Sequence, residues 1–124
     1  MLSDIYRQYI ACLNARDWPN LGAFVHDALQ YNARALTLDD YRELLKKDVR
    51  EIPDLRFDIE LLIAEPPRVA CRLRFECTPK ADFLGLHIDG RRVVFCENVF
   101  YEFRDGKIER VWSVIDKAAI EAQL

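Results

Sequence analysis

Between Ser3 and Arg16 the apolar residues Ile5, Tyr6, Tyr9, Ile10 and Leu13 recur at helical spacing, one stripe of an amphipathic helix that Ser3 is placed to cap. The stretch DWPNLGAFVHDAL predicts a second, short helix. Asp17 can cap it, Pro19 suits a first turn, and Leu21, Phe24, Val25 and Ala28 share one side. QYNARALT reads as an extended link with one brief strand around Tyr31. A third helix opens at Thr37, with Asp40 three residues on as its capping-box partner. Leu38, Tyr41, Leu44 and Leu45 form its apolar side, and Pro53 stops it.

Beyond Pro53 the period changes from 3.6 to 2. Phe57, Ile59, Leu61 and Ile63 alternate with Asp58, Glu60 and Leu62. After the connection EPPR, Val69, Cys71, Leu73, Phe75 and Cys77 alternate with Arg72, Arg74 and Glu76. A longer polar link, TPKADFLGLHIDG, leads to a strand over 91–104, and a last strand covers 107–115. Asp105-Gly106 between them suits a type I′ turn, which needs positive φ at both central positions. DKAAIEAQL closes with a short helical tail. Helices followed by hairpin-linked strands predict an α+β fold, with helices gathered on one face of an antiparallel sheet. Such an arrangement leaves a cone between sheet and helices, where a ligand would sit.

A two-residue turn fixes register. Pairing Arg104 with Lys107 sets Val99 against Trp112, Glu97 against Val114 and Phe95 against Asp116, about 5 Å apart at Cβ. Glu97 and Asp116 then become diagonal neighbours on one face. That face, turned to the cone, would be lined by Phe95, Val99, Trp112 and Val114, with Tyr6, Tyr9, Phe24 and Tyr31 opposite. The other face is also apolar, and nothing remains in the chain to cover it. A second copy packed sheet to sheet is the expected partner.

Composition narrows the function. The 124 residues, half of them hydrophobic and 31% charged, carry a net charge of −3, which gives no electrostatic footprint for nucleic acid or an anionic membrane. A small-molecule ligand is the expected partner. Cys12, Cys71, Cys77 and Cys96 form no CxxC pair and sit in apolar stretches, as reduced thiols of a cytoplasmic protein do. The amino terminus lacks the apolar core of a signal peptide, no run is long enough for a membrane span, and metal-ligand spacing is absent.

Two carboxyl groups in an apolar cone would have raised pKa values, from burial and from mutual repulsion. Such a group can take a proton from carbon beside a carbonyl, or return one to the enolate. Asp116 and Glu97 are therefore the candidate catalytic pair. The structural alternatives are that Asp116 caps the terminal helix and that Glu97 satisfies a buried backbone or arginine donor. His26, beside Asp27, reads as a solvated helix residue, and His87 as part of a surface link.

The pieces FLG at 83–85, DGRRVVF at 89–95, F-x-x-GKI at 103–108 and VWSVID at 111–116 occur in an order that resembles the SnoaL-like branch of the NTF2-like superfamily, the polyketide or ester cyclases. Trp18 and IPDLRF at 52–57 add to the resemblance. It implies a single domain over 1–124: three N-terminal helices on a curved antiparallel sheet, the NTF2-like cone, commonly dimeric. It also implies aldol-type ring closure without metal or cofactor, with the aspartate after the last-strand tryptophan, here Asp116, as acid/base. The strand histidine that the family's cyclases pair with it has no counterpart between Arg91 and Arg104. Glu97, or with less claim Glu102, stands nearest, and the family's GTH reads CTP at Cys77–Pro79.

These lines converge on a pocket protein for a small, largely apolar carbonyl compound, a candidate cofactor-independent isomerase or cyclase. The alternative is a ligand-binding or protein-interaction module without chemistry. An acid–arginine–acid set built on Arg72, Arg74 and Glu76, as in the superfamily's epoxide hydrolases, is disfavoured because those residues alternate away from the cone.

Overall fold

The computed structural model, which describes residues 1–124, runs α1 (Leu2–Asn14), a 3₁₀ segment (Trp18–Ala23), β1 (Val25–Tyr31), β2 (Arg34–Thr37), α2 (Leu38–Glu51), β3 (Asp58–Glu65), β4 (Arg68–Cys77), β5 (Val93–Arg104), β6 (Lys107–Ile115) and α3 (Lys117–Glu121). The six strands form one curved, open sheet in the order β2-β1-β6-β5-β4-β3. The helices pack against it, as the α+β reading expected.

Helix α1 buries Tyr6, Tyr9, Ile10 and Leu13. An aliphatic side chain such as Leu13 contributes about 1.5–3 kcal/mol by leaving water. Asn14 pins the end of α1 to the sheet, receiving the Phe57 amide at 2.8 Å and donating to the Phe57 carbonyl at 3.0 Å. Ser3 does not cap: the helix starts one residue earlier, after Met1. At α2 the capping box forms as expected, with the Asp40 amide donating to Thr37 Oγ1 and the Thr37 amide to Asp40 Oδ2.

The second helix is a correction. Pro19 starts only a 3₁₀ turn, and from Val25 the chain is a strand. β1 lies parallel to β6, with Val25 beside Ile108 and Tyr31 beside Val111. The sheet is therefore antiparallel except at that one junction. The apolar spacing of Leu21, Phe24, Val25 and Ala28 mimics a helix, but β-branched Val25 is fully buried against the sheet, where tertiary packing overrides a short helical pattern. The link after Tyr31 is a hairpin to β2, turning at Asn32 and Ala33, both at positive φ.

Two bulges decide which side chains face inward. In β3 the register shifts between Ile59 and Leu61. Leu62 therefore turns to the core, while Leu61 and Ile63 face solvent. In the β5–β6 hairpin, Asp105 and Gly106 adopt the expected positive φ, and Arg104 pairs with Lys107 and Phe103 with Ile108. The next pair, however, is Glu102 with Arg110. Glu109 is the extra residue of a β-bulge, and a one-residue slip exchanges the faces of a strand. Val111, Ser113 and Ile115 thus share the inner face with Glu97 and Val99, and Trp112 and Val114 go to the outer face beside Phe100 and Asn98.

Candidate functional site

Between α2, the link that follows β4 and the inner face of the sheet lies a cavity of about 250 Å³. A narrow inner recess of about 40 Å³ shares Tyr31, Leu44, Asp48, Phe57 and Glu97 with it. Phe57, Phe75, Phe95 and Phe83, in that order, form a continuous aromatic wall, with successive ring centroids 5.2–5.7 Å apart. Leu84, in the link between β4 and β5, stands exposed at the rim with φ of 54°.

The polar groups are few and placed at depth. Glu97 projects inward from the middle of β5, where alternation with Phe95 and Val99 sends it. Ser113 Oγ, brought to this face by the bulge, donates to Glu97 Oε2. Burial raises the Glu97 carboxyl above the usual carboxylate range, and the Ser113 hydrogen bond offsets only part of this. The charge of Glu97 in turn adds to burial in raising the phenols of Tyr9, Tyr31, Tyr41 and Tyr101.

Across the cavity stands Asp48 of α2. Burial first, and the Glu97 charge second, push its carboxyl up to about 6. Glu51 adds to the rise and Lys47 opposes it. Behind the acids two tyrosine pairs close the floor: Tyr9 and Tyr41 meet hydroxyl to hydroxyl at 2.6 Å, and Tyr6 donates to Tyr101 at 3.1 Å. One bond between two hydroxyls uses one proton, so each pair keeps a second donor. Tyr9, Tyr41 and Tyr101 all line the recess.

Of the residues expected from the sequence, Glu97, Tyr9, Tyr31, Phe95 and Val99 come together here. Tyr6 lies directly behind, its ring 4.9 Å from Tyr101. Phe24 packs at 6.3 Å against Tyr9 and otherwise lines a shallow groove beside α1. Trp112 and Val114 are corrections: the bulge puts them outside. The expected diagonal pairing of Asp116 with Glu97 is likewise not formed. Ile115 takes the place opposite Glu97, and Asp116 caps α3, its Oδ1 accepting the Ala119 amide at 3.1 Å.

Asp48 is the residue that sequence reasoning missed. It follows Tyr41, Leu44 and Leu45 by seven, four and three positions, and so lies on the same helix face. That spacing was the available signal. His26 is on β1, not on a helix, its Nε2 2.6 Å from the Arg104 carbonyl oxygen. His87 is exposed, between Asp82 and Asp89. Arg72 lies on the outer face with Glu60 and Asn98. No three His, Cys, Asp or Glu side chains converge as a metal site would require.

The model of the SnoaL-like polyketide cyclase family matches residues 3–124. Among solved structures, a SnoaL-like polyketide cyclase from Agrobacterium tumefaciens is 51% identical, superposes with a TM-score of 0.98, and is covered over 97% of its length by 99% of this chain. IdmH from Streptomyces antibioticus, described as a putative polyketide cyclase, is 17% identical with a TM-score of 0.85, over 99% of this chain and 97% of its own. A putative polyketide cyclase from Acidithiobacillus ferrooxidans is 20% identical with a TM-score of 0.82, over 99% and 93%. These last two share the fold. A search of curated proteins gave no match.

Proposed function

From the premise that the chain belongs to the SnoaL-like polyketide cyclase family, we propose that its cavity binds a small, largely apolar carbonyl compound and that Glu97 moves a proton on it without a cofactor. The observation that carries this is a carboxyl group set in an aromatic cavity with one hydroxyl partner, Ser113. A carboxylate so placed is a stronger base than one in water. It takes the proton from the carbon beside the carbonyl; the C–H pair becomes the C=C bond of the enolate, and the carbonyl π pair moves to the oxygen. A spare phenolic proton of the Tyr9–Tyr41 or Tyr6–Tyr101 pair stabilises that oxygen by a hydrogen bond. Return of the proton to another carbon gives isomerisation. Attack of the enolate carbon on a second carbonyl, with proton transfer to the new alkoxide, gives ring closure.

Asp116, which the family resemblance nominates, has a structural part in this reading: it caps α3 and lines neither the cavity nor the recess. The experiment is hydrogen–deuterium exchange at the α-carbon of a bicyclic ketone such as 1-indanone, followed by NMR. Wild type is expected to exchange it faster than buffer does, and Glu97→Gln to lose the acceleration. Equal rates for wild type and Glu97→Gln would refute the proton-transfer role.

The outer face supports a dimer. Trp112, Phe100, Ala70 and Ile63 are register partners in one row across β6, β5, β4 and β3, and Val114, Asn98, Arg72 and Leu61 form the next. Phe100 is 59% and Val114 67% exposed. A second copy of the same face, presenting the same apolar row, is the occupant proposed. Light scattering at micromolar concentration tests it, and a clean monomer would refute it. The four free, buried thiols fit a cytoplasmic setting, and no helix is long and apolar enough to cross a membrane.

A further inference from the structure

Asp48 is unlike the other acids of the fold. It makes no side-chain hydrogen bond and no ion pair, yet it lines both the cavity and the recess. Its facing groups are Glu97 from β5, the phenol of Tyr31 from β1, and Glu51 and Lys47 from its own helix. No Lys, Arg or His lines either space. The cavity therefore presents two acids and several hydroxyls, and no cation.

Resting on the pocket reading above, we infer that Asp48 is the second acid of the site, and that it and Glu97 restrict the ligand to an uncharged molecule, one or two rings of which the cavity encloses. The size follows from the volume. A dry hole of about 150 Å³ takes benzene, and drug-sized ligands fill clefts of about 300 Å³ upward. The cavity here, about 250 Å³, lies between. It encloses a bicyclic compound, and a larger ligand would extend past the rim at Leu84.

The charge selection follows from the lining. An anion entering the cavity would meet two carboxyl groups in an apolar enclosure, where like charges repel more strongly than in water. It would be accepted only after one or both took up protons. A neutral ligand carries no such requirement, because a carboxylic acid and the spare phenols can each donate to a carbonyl oxygen. Burial, which raises both acids, and the Glu97 charge, which raises Asp48 further, keep a proton available for that bond at mildly acidic pH.

The test uses two shape-matched probes, 2-naphthamide and 2-naphthoate, titrated calorimetrically. At pH 7.5 wild type is expected to bind the amide at least ten-fold more tightly than the carboxylate. The difference should narrow toward pH 5.5, where Asp48 gains its proton while the probe stays ionised. Asp48→Asn should reduce it to within about three-fold at pH 7.5, and Glu97→Gln, as an independent variant, should reduce it as well. Equal affinities in wild type would overturn charge selection and leave the pocket reading intact. A difference unchanged in folded Asp48→Asn would overturn the role of Asp48. Failure of wild type to bind either probe would overturn the pocket reading and this inference with it.

Discussion

Removing the Asp48 charge should stabilise the protein, and by an amount that depends on pH. Its carboxyl is raised from an ordinary 3.8 to about 6. Each unit corresponds to about 1.36 kcal/mol between protonation states, so the ionised form costs roughly 3 kcal/mol in the fold. The sign follows from proton binding: between pH 4 and 6 the folded state holds a proton that the unfolded chain has released. Stability should therefore fall as pH rises through that window and level off above it. Glu97, raised in the same direction, adds to the fall. Asparagine is close in shape and never ionises. Urea unfolding of wild type and Asp48→Asn at pH 4.5, 5.5, 6.5 and 7.5 should give nearly equal stabilities at the acidic end. At pH 7.5 the variant should be ahead by about 1–3 kcal/mol, the lower part of the range allowing for an amide that must find its own partners. A difference between the two proteins that does not grow with pH, or a variant less stable at pH 7.5, would refute the reasoning.

Asp116→Ala should cost about 1 kcal/mol by loss of the α3 cap, while 2-naphthamide affinity changes less than three-fold; denaturation and calorimetry on one preparation check both. Deletion of Glu109 takes out only the extra residue of the bulge and leaves Arg110 opposite Glu102, Ser113 opposite Val99 and Ile115 opposite Glu97 in an unbroken ladder; a retained cooperative thermal transition is expected by circular dichroism. Phe100→Asp, at the centre of the outer apolar row, should convert the proposed dimer to a monomer in light scattering without altering far-ultraviolet circular dichroism.

The parts of the fold legible in the sequence are those fixed by local chemistry. The Asp105-Gly106 turn and the Thr37–Asp40 capping box each rest on residues within a few positions of one another, and each forms as read. The strict alternation of β4 is equally plain, with Val69, Cys71, Leu73, Phe75 and Cys77 all buried. What the pattern did not show was set by tertiary pairing. Val25 becomes a strand residue because Ile108 lies beside it, and Glu109 bulges with no Gly or Pro to announce it. That single bulge accounts for the misplacing of Trp112 and Val114 and for the absence of an Asp116–Glu97 pair. Glu97 itself was legible, since its place between Phe95 and Val99 on β5 does not depend on the slip. Asp48 was marked by helical periodicity, but an acid on an apolar stripe is conspicuous only once a cavity is seen beside it.

Everything chemical in this account depends on Glu97 being held in an apolar cavity with a raised carboxyl. Carbon-13 NMR titration of the Glu97 side-chain carboxyl measures this directly. The account predicts a midpoint clearly above the ordinary glutamate value of about 4.3, and still above it in Asp48→Asn, because burial is what raises it. A midpoint at the ordinary value would contradict it.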